Sequence, residues 1–324
     1  MKKVLGIGNA LVDIMTILKD DVFLEEQNLP KGSMQPVNAD VSAKVLAATG
    51  GLEKSQSSGG SAANTIHGLS NLGIQTGYIG KIGRDEFGSF FRNDMEKSNI
   101  HAILLESETP TGRAIAMISP DTERTFATFL GAAVELSAGD LLTEHFTGYS
   151  YLHLEGYLAF NEELILRAAK LAKEAGLKVA LDLASYNVVS IKHDFLKMLV
   201  SEYVDIVFAN EEEAKAFTGM EPEPALHELA KLCETAVVKI GAKGSVIKYD
   251  EEVYYVDPVS VIPVDTTGAG DLYASGFLYG LLQHEPLDKC GRIGSLLAGK
   301  VIEVVGSKMS KPAWTEINRA IVTI

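Results

Sequence analysis

Short apolar runs alternate with longer amphipathic stretches along most of this chain. The short runs predict β-strands at Lys3–Gly8, Gln75–Ile82, Tyr149–Leu154, Val179–Leu183, Ile206–Ala209 and Ala236–Ile240. The longer stretches predict helices at Glu162–Ala175, Val188–Ser201 and Glu211–Thr218. Such β-α repetition is typical of a mostly parallel sheet with helices on both faces. We therefore predict a doubly wound α/β fold.

A second group of extended segments lies outside this repeat. Ala10–Leu18 follows the first strand directly, and Thr111–Ile118 and Arg124–Phe129 alternate around a turn, which predicts a hairpin. The stretch 20–37 is broken by proline and glycine, and this pattern predicts edge strands and turns.

The most distinctive stretch reads D-T-T-G-A-G-D at 265–271. A strand-like run, Val256–Val264, precedes it, and an apolar segment that predicts a buried helix follows it. The N–H groups of Gly268, Ala269 and Gly270 would lie in the first helical turn, where they have no intrahelical partner. The glycines leave room for a ligand, so the turn predicts an anion site with Asp271 as an ionised proton acceptor. The alternative is an ordinary glycine-rich turn capped by Asp271.

Two other groups of polar residues could also form part of a ligand site. Asp13 is a carboxylate among apolar neighbours, and Gly59-Gly60 precedes a helix that carries Asn64 one turn in. Each could equally be structural, as a solvent-facing strand position or a helix start.

Composition narrows the classes of protein. The 324 residues are 46% hydrophobic and 22% charged, as in folded soluble proteins, and the net charge is −14. This charge argues against an extended nucleic-acid or anionic-membrane surface. No apolar run is long enough to span a bilayer, and Cys233 and Cys290 fit no disulfide or metal pattern, so we expect a cytoplasmic protein. Gly6-Ile7-Gly8 begins like a dinucleotide fingerprint, but Leu11 stands where the third glycine belongs, which disfavours a dehydrogenase.

Taken together, these motifs resemble the ribokinase-like (PfkB) family of sugar and nucleoside kinases, and especially its bacterial adenosine-kinase-like members. The matching strings, in family order, are G-N-A-L-V-D at 8–13, K-G-S-M-Q at 31–35, S-G-G-S-A-A-N-T-I at 58–66, D-x-E-R-T at 121–125, F-A-N-E at 208–211 and D-T-T-G-A-G-D-L-Y-A-S-G-F-L-Y-G at 265–280. The resemblance implies one ribokinase-like α/β domain over 1–324. It also implies a small β-sheet lid formed from about 13–37 and 109–130.

The resemblance also implies a role for each motif. Gly268, Ala269 and Gly270 would form the anion hole, and Asp271 would be the base for the acceptor hydroxyl. The residues implied for substrate binding are Asn9, Asp13, Gly59, Gly60 and Asn64. Those implied for ATP and Mg²⁺ are Asn210, Glu213, Lys239, Gly241, Gly244 and Thr267. Asp265 and Ser307 lie near where relatives hold a monovalent cation such as K⁺.

The expected activity is ATP- and Mg²⁺-dependent phosphoryl transfer to a primary hydroxyl of a ribose-containing substrate, with adenosine preferred. A kinase for a free sugar such as ribose or fructose shares every motif. A non-catalytic ligand-binding regulator on the same scaffold is a third interpretation, disfavoured by the presence of Asp271, Asn210 and Glu213. Either a monomer or a homodimer is compatible with the sequence.

Overall fold

The structure is a computed structural model that describes residues 2–121 and 123–324. Its strands are β1 (Lys3–Ile7), β2 (Leu11–Ile17), β3 (Met34–Pro36), β4 (Lys54–Gly59), β5 (Gln75–Gly83), β6 (Ile100–Ser107), β7 (Gly112–Ile118), β8 (Arg124–Phe129), β9 (Tyr151–Glu155), β10 (Lys178–Asp182), β11 (Ile206–Asn210), β12 (Thr235–Lys239), β13 (Ser245–Tyr249) and β14 (Glu252–Val256). Its α-helices are α1 (Val22–Glu26), α2 (Ala39–Ala48), α3 (Ser61–Asn71), α4 (Glu86–Lys97), α5 (Glu162–Glu174), α6 (Tyr186–Ile191), α7 (His193–Tyr203), α8 (Glu211–Thr218), α9 (Pro222–Leu229), α10 (Ala269–Leu282), α11 (Leu287–Val301) and α12 (Lys311–Thr323).

The larger sheet has the strand order β14-β13-β12-β11-β10-β9-β1-β5-β6. Pairing is parallel from β6 to β12, and β13 and β14 add an antiparallel edge. Central strands such as β1 and β9 are buried almost throughout, because helices cover both faces. The predicted α/β fold with a mostly parallel sheet is therefore confirmed.

The smaller sheet has the order β3-β8-β7-β2-β4. The predicted hairpin forms as β7 and β8, and β2 pairs with β7 in parallel and with β4 in antiparallel fashion. Alternate residues of β2, among them Val12 and Ile14, point into a core shared with the larger sheet. The intervening residues, among them Asp13 and Met15, face a cleft between the two sheets.

Several predicted boundaries were wrong. Residues 257–264 form no strand, because Pro258 and Pro263 cannot donate ladder hydrogen bonds, so only Glu252–Val256 pairs. The predicted helix Val188–Ser201 is two helices, α6 and α7, that meet at Lys192. The stretch 20–37 includes a short helix, α1, besides the edge strand β3.

Helix ends place polar groups at the carboxyl edge of the larger sheet. Asn210 ends β11 and caps α8 by accepting a hydrogen bond of 2.8 Å from the Glu213 N–H. Asp85 caps α4 by accepting a hydrogen bond of 2.8 Å from the Gly88 N–H. Among the described residues, no helix is long and apolar enough to cross a membrane.

Candidate active site

A cleft of about 1940 Å³ runs between the small sheet and the carboxyl edge of the larger sheet. It brings together most of the residues singled out from the sequence: Asn9, Asp13, Gly60, Asn64, Asn210, Glu213, Lys239, Gly241, Gly244, Thr267, Gly268, Ala269, Gly270, Asp271 and Ser307. Gly59 and Asp265 do not line it. Gly59 lies beneath the Asp13 carboxylate, and Asp265 lies behind the loop that leads into α10.

The glycine turn forms the N-terminus of α10. Gly268 precedes the first helical residue with φ of 78°, a left-handed conformation that favours glycine. A Cβ on Gly270 would lie 3.0 Å from Lys239 Nζ, so the bare backbone and this ammonium group approach the same space. The Ala269 N–H donates to the Thr266 carbonyl oxygen at 3.2 Å, but the N-terminus of a helix beside a lysine is still a site for an anion such as phosphate.

Asp271 lies in the first turn of α10 and faces the cleft. Its carboxylate accepts hydrogen bonds from Ser61 Oγ at 2.7 Å and from Asn64 Nδ2 at 3.0 Å. Burial raises its pKa to about 6, although these two hydrogen bonds lower it. The group is thus ionised at neutral pH but basic enough to accept a proton from a hydroxyl.

Asp13 faces the same end of the cleft from β2. A Cβ on Gly59, which lies on the neighbouring strand β4, would lie 2.1–2.4 Å from the atoms of the Asp13 carboxyl group, so only glycine leaves the carboxylate in place. Burial raises the pKa of Asp13 to about 7, and Lys308 opposes that rise. The Nζ atom of Lys308 is buried and has no hydrogen-bond partner among the described residues. Burial lowers the pKa of Lys308 to about 8, although Asp94, Asp13 and Asp271 oppose that shift.

Glu155, at the end of β9, is a site residue that the sequence analysis missed. Its Oε1 accepts hydrogen bonds from the Asn9 N–H at 2.9 Å and from Asn9 Nδ2 at 2.6 Å, and its Oε2 accepts one from the Ala62 N–H at 2.9 Å. The carboxylate therefore joins the β1–β2 turn to the start of α3. Burial raises its pKa to about 7.

Asp182, at the end of β10, was missed in the same way. Its Oδ2 accepts a hydrogen bond of 2.8 Å from Lys239 Nζ at the end of β12. Burial alone would lower the pKa of Lys239, but Asp182 and Glu213 hold it above its usual value. The same closeness of Asp182, added to burial, raises the pKa of Glu213 to about 7. Lys239 is therefore a paired ammonium at the anion site rather than a solvated strand-end lysine.

Comparison with known proteins shows which family has this fold and these motifs. The family model described as "pfkB family carbohydrate kinase" matches residues 38–314 of this chain. The chain belongs to the PfkB family. It is therefore a kinase, a phosphotransferase with an alcohol group as acceptor, as expected from the motifs.

Individual relatives are similar along most of their length. The structure of adenosine kinase from Sinorhizobium meliloti is 36% identical, with a TM-score of 0.87, and the match covers 98% of this chain and 99% of that one. An uncharacterized sugar kinase from Archaeoglobus fulgidus is 30% identical over 76% of this chain and 98% of its own length. A nucleoside kinase from Methanothermobacter thermautotrophicus is 28% identical over 78% of this chain and 81% of its own length. These relatives therefore include both nucleoside and sugar kinases.

The PfkB activity implies ATP and usually a divalent metal, and part of the cleft fits a nucleotide. The Gly268–Gly270 turn and Lys239 could hold its phosphates, and Val259, Val261 and Gly299 line an apolar part of the same cleft. Gly244 has φ of 92°, and a Cβ there would lie 1.9 Å from the Val256 carbonyl oxygen. The loop that contains Gly244 can therefore form only with glycine at this position.

Asn210 and Glu213 form a reciprocal cap at the start of α8. Glu213 Oε2 accepts a hydrogen bond from the Asn210 N–H, and Oε1 accepts one from Asn210 Nδ2, both at 2.8 Å. Within the described ranges, no cluster of three or more His, Cys, Asp or Glu side chains could enclose a metal. Because both Glu213 oxygens already accept hydrogen bonds from Asn210, a divalent cation held here would be bound mainly through water and phosphate oxygens.

Proposed function

We propose that this PfkB kinase transfers the γ-phosphoryl group of ATP to the 5′-hydroxyl of adenosine. The observation that carries the proposal is an apolar wall around the acceptor end of the cleft. Its members come from the small sheet and from the segments that follow β8 and β9: Leu11, Met15, Met34, Phe126, Leu130, Val134, Leu136 and Tyr157. Met34 and Val134 are 62% and 55% exposed, so they offer surface that a ligand could cover.

The sugar would lie between this wall and Asp271. Asp13 can accept hydrogen bonds from two neighbouring hydroxyl groups at once. Asn9, Gly59, Gly60 and Asn64 would complete this polar end. The purine would then lie against the apolar wall, since a planar heteroaromatic ring gains more from such a surface than a free sugar does.

Catalysis would consist of positioning and electrostatic stabilisation. Asp271 accepts the proton of the hydroxyl as it attacks, and the Gly268–Gly270 N–H groups stabilise charge on the transferred phosphoryl group. Lys239 balances phosphate charge. ATP supplies the phosphoryl group, and Mg²⁺ supplies charge neutralisation near Asn210 and Glu213. The small sheet would cover the acceptor and exclude water.

A coupled assay of ADP release tests the proposal, with ATP and Mg²⁺ and with adenosine, other nucleosides, ribose and fructose as acceptors. Turnover should be highest with adenosine. Turnover with a free sugar alone would keep the mechanism and overturn the substrate. No turnover with any acceptor, with ATP still bound, would favour a ligand-binding regulator.

A pair of variants tests the apolar wall itself. Val134→Asn places a polar group in the wall and should raise KM for adenosine without raising KM for ATP. Val322 on α12 is 83% exposed and lies outside the cleft, so Val322→Asn is a matched control. Equal KM for adenosine in both variants would contradict the placement of the purine.

A further inference from the structure

The pair of residues implied for a monovalent cation has other partners. Asp265 Oδ1 accepts hydrogen bonds from the Thr267 N–H at 2.9 Å and from the guanidinium of Arg124, and Oδ2 accepts one from the Gly306 N–H. Ser307 Oγ donates to Asn64 Oδ1 at 2.8 Å. While the Arg124 guanidinium holds Asp265, these residues therefore do not fit a K⁺ ion, which needs oxygen ligands that no other cation occupies.

Arg124 is fixed at this position by more than one contact. Its Nη1 atom forms an ion pair with Asp265 and donates to Thr267 Oγ1 at 3.1 Å. The two charged side chains are only 13% and 4% exposed. Burial opposes ionisation of Asp265, but Arg124 and the two N–H donors hold its pKa below the usual value. A second cation at this carboxylate would be repelled by the guanidinium.

We infer that Arg124 takes the place of the monovalent cation at Asp265, so that this chain works without K⁺. The inference rests on the proposed function only in treating the 265–271 loop as the phosphate site. The charge is carried by β8 of the small sheet and not by an ion from solution. The guanidinium therefore reaches the 265–271 loop only while the small sheet lies against that loop. Closure of the small sheet over the acceptor would then also bring the positive charge to the phosphate site.

Thermal unfolding gives a test that needs no substrate. Tm is measured in KCl and in choline chloride at equal ionic strength, for wild type, Arg124→Gln and Arg84→Gln. Arg84 pairs with Glu106 and Glu108 on the exposed surface, so its variant controls for the loss of a surface arginine. Wild type and Arg84→Gln should have the same Tm in both salts. Arg124→Gln should gain about 2 °C or more in KCl, because K⁺ can now bind the vacated carboxylate.

Three outcomes overturn the inference. One is a K⁺-specific rise in the Tm of wild type, which needs no variant to fold. Another is an equal Tm of Arg124→Gln in the two salts. The third is a K⁺ response that persists when Asp265→Asn is added to Arg124→Gln. If kinase activity is found, wild-type turnover should also be the same in both salts within about twofold. A protein without kinase activity but with this Tm pattern would refute the proposed function alone.

Discussion

Replacing Asp271 with Asn would separate the chemistry of the proposed base from its packing. Asn has nearly the same shape and can still pair with Ser61 Oγ, which lies 2.7 Å from Asp271 Oδ1. It cannot accept the proton of a hydroxyl group. We therefore expect the variant to fold and to bind both substrates, with a large loss of turnover.

The expected loss of turnover follows from the role of Asp271 as a general base. A positioned general base contributes about 10²- to 10⁴-fold to a rate. This factor corresponds to about 2.7–5.4 kcal/mol of activation free energy. The kcat of Asp271→Asn should fall by that factor, while KM for each substrate should stay within about threefold of wild type. In wild type, kcat/KM should rise with pH and level off above about 6, where Asp271 is ionised.

The same substitution should stabilise the protein at high pH. The pKa of Asp271 is about 6 in the folded state, against 3.8 for the free side chain, so folding favours the protonated form. The difference corresponds to about 3 kcal/mol, reduced to about 1–3 kcal/mol because water in the cleft screens the charge. Wild type loses this stability as the pH rises from about 4 to about 6. At pH 8, Asp271→Asn should therefore have the higher free energy of unfolding, and at pH 4 the advantage should vanish.

Two assays check these expectations. ADP release is measured from pH 5 to pH 9, and denaturant unfolding is measured at pH 4 and pH 8. Asp194→Asn, which removes an exposed carboxylate on α7, is the control and should change neither result. Turnover of Asp271→Asn within tenfold of wild type would remove Asp271 as the base. A variant less stable than wild type at pH 8 would refute the argument from burial.

Two further variants test the acceptor end of the cleft. Gly59→Ala would displace the Asp13 carboxylate, so KM for the acceptor should rise at least about tenfold while KM for ATP stays unchanged. Gly51→Ala is the control, because a Cβ at Gly51 meets nothing within 4 Å, and it should leave both KM values unchanged. Lys308→Met removes the ammonium that opposes the raised pKa of Asp13. Its acceptor KM should therefore be high at pH 7 and approach that of wild type by about pH 9, whereas a KM raised equally at every pH would contradict this electrostatic role.

The sequence predicted the parallel sheet because its strands are buried on both faces and appear as continuous apolar runs. It did not predict β4, whose residues read K-S-Q-S-S-G. This strand lies at the edge of the small sheet, so neither apolar runs nor strict alternation mark it. The hairpin of β13 and β14 was also missed. Val256, the last residue of β14, was assigned instead to a strand over Val256–Val264, which does not form because Pro258 and Pro263 interrupt it.

Site residues were predicted where a glycine motif marks them and missed where none does. Glu155 and Asp182 each follow a buried strand, as Asn210 does, and parallel strands bring their carboxyl ends to one edge. Asn210 was predicted because a motif of the resembling family also marks it, whereas no such motif marks Glu155 or Asp182. The contact between Arg124 and Asp265 is different, because no sequence pattern shows which loop a hairpin will touch.

The electrostatics of the cleft favour function over stability. Asp13, Glu155, Glu213 and Asp271 all have a raised pKa, of about 6 to 7, mainly because of burial. A raised pKa of an acid means that its ionised form destabilises the folded state, so together these groups weaken the fold at neutral pH. Apolar side chains of similar size would pack there without this cost. In the proposed function, bound ligands would relieve it, since hydroxyl groups would donate to Asp13 and a divalent cation would offset the charge of Glu213. Substrate binding and folding stability should therefore be coupled through the same carboxylates that the proposed phosphoryl transfer requires.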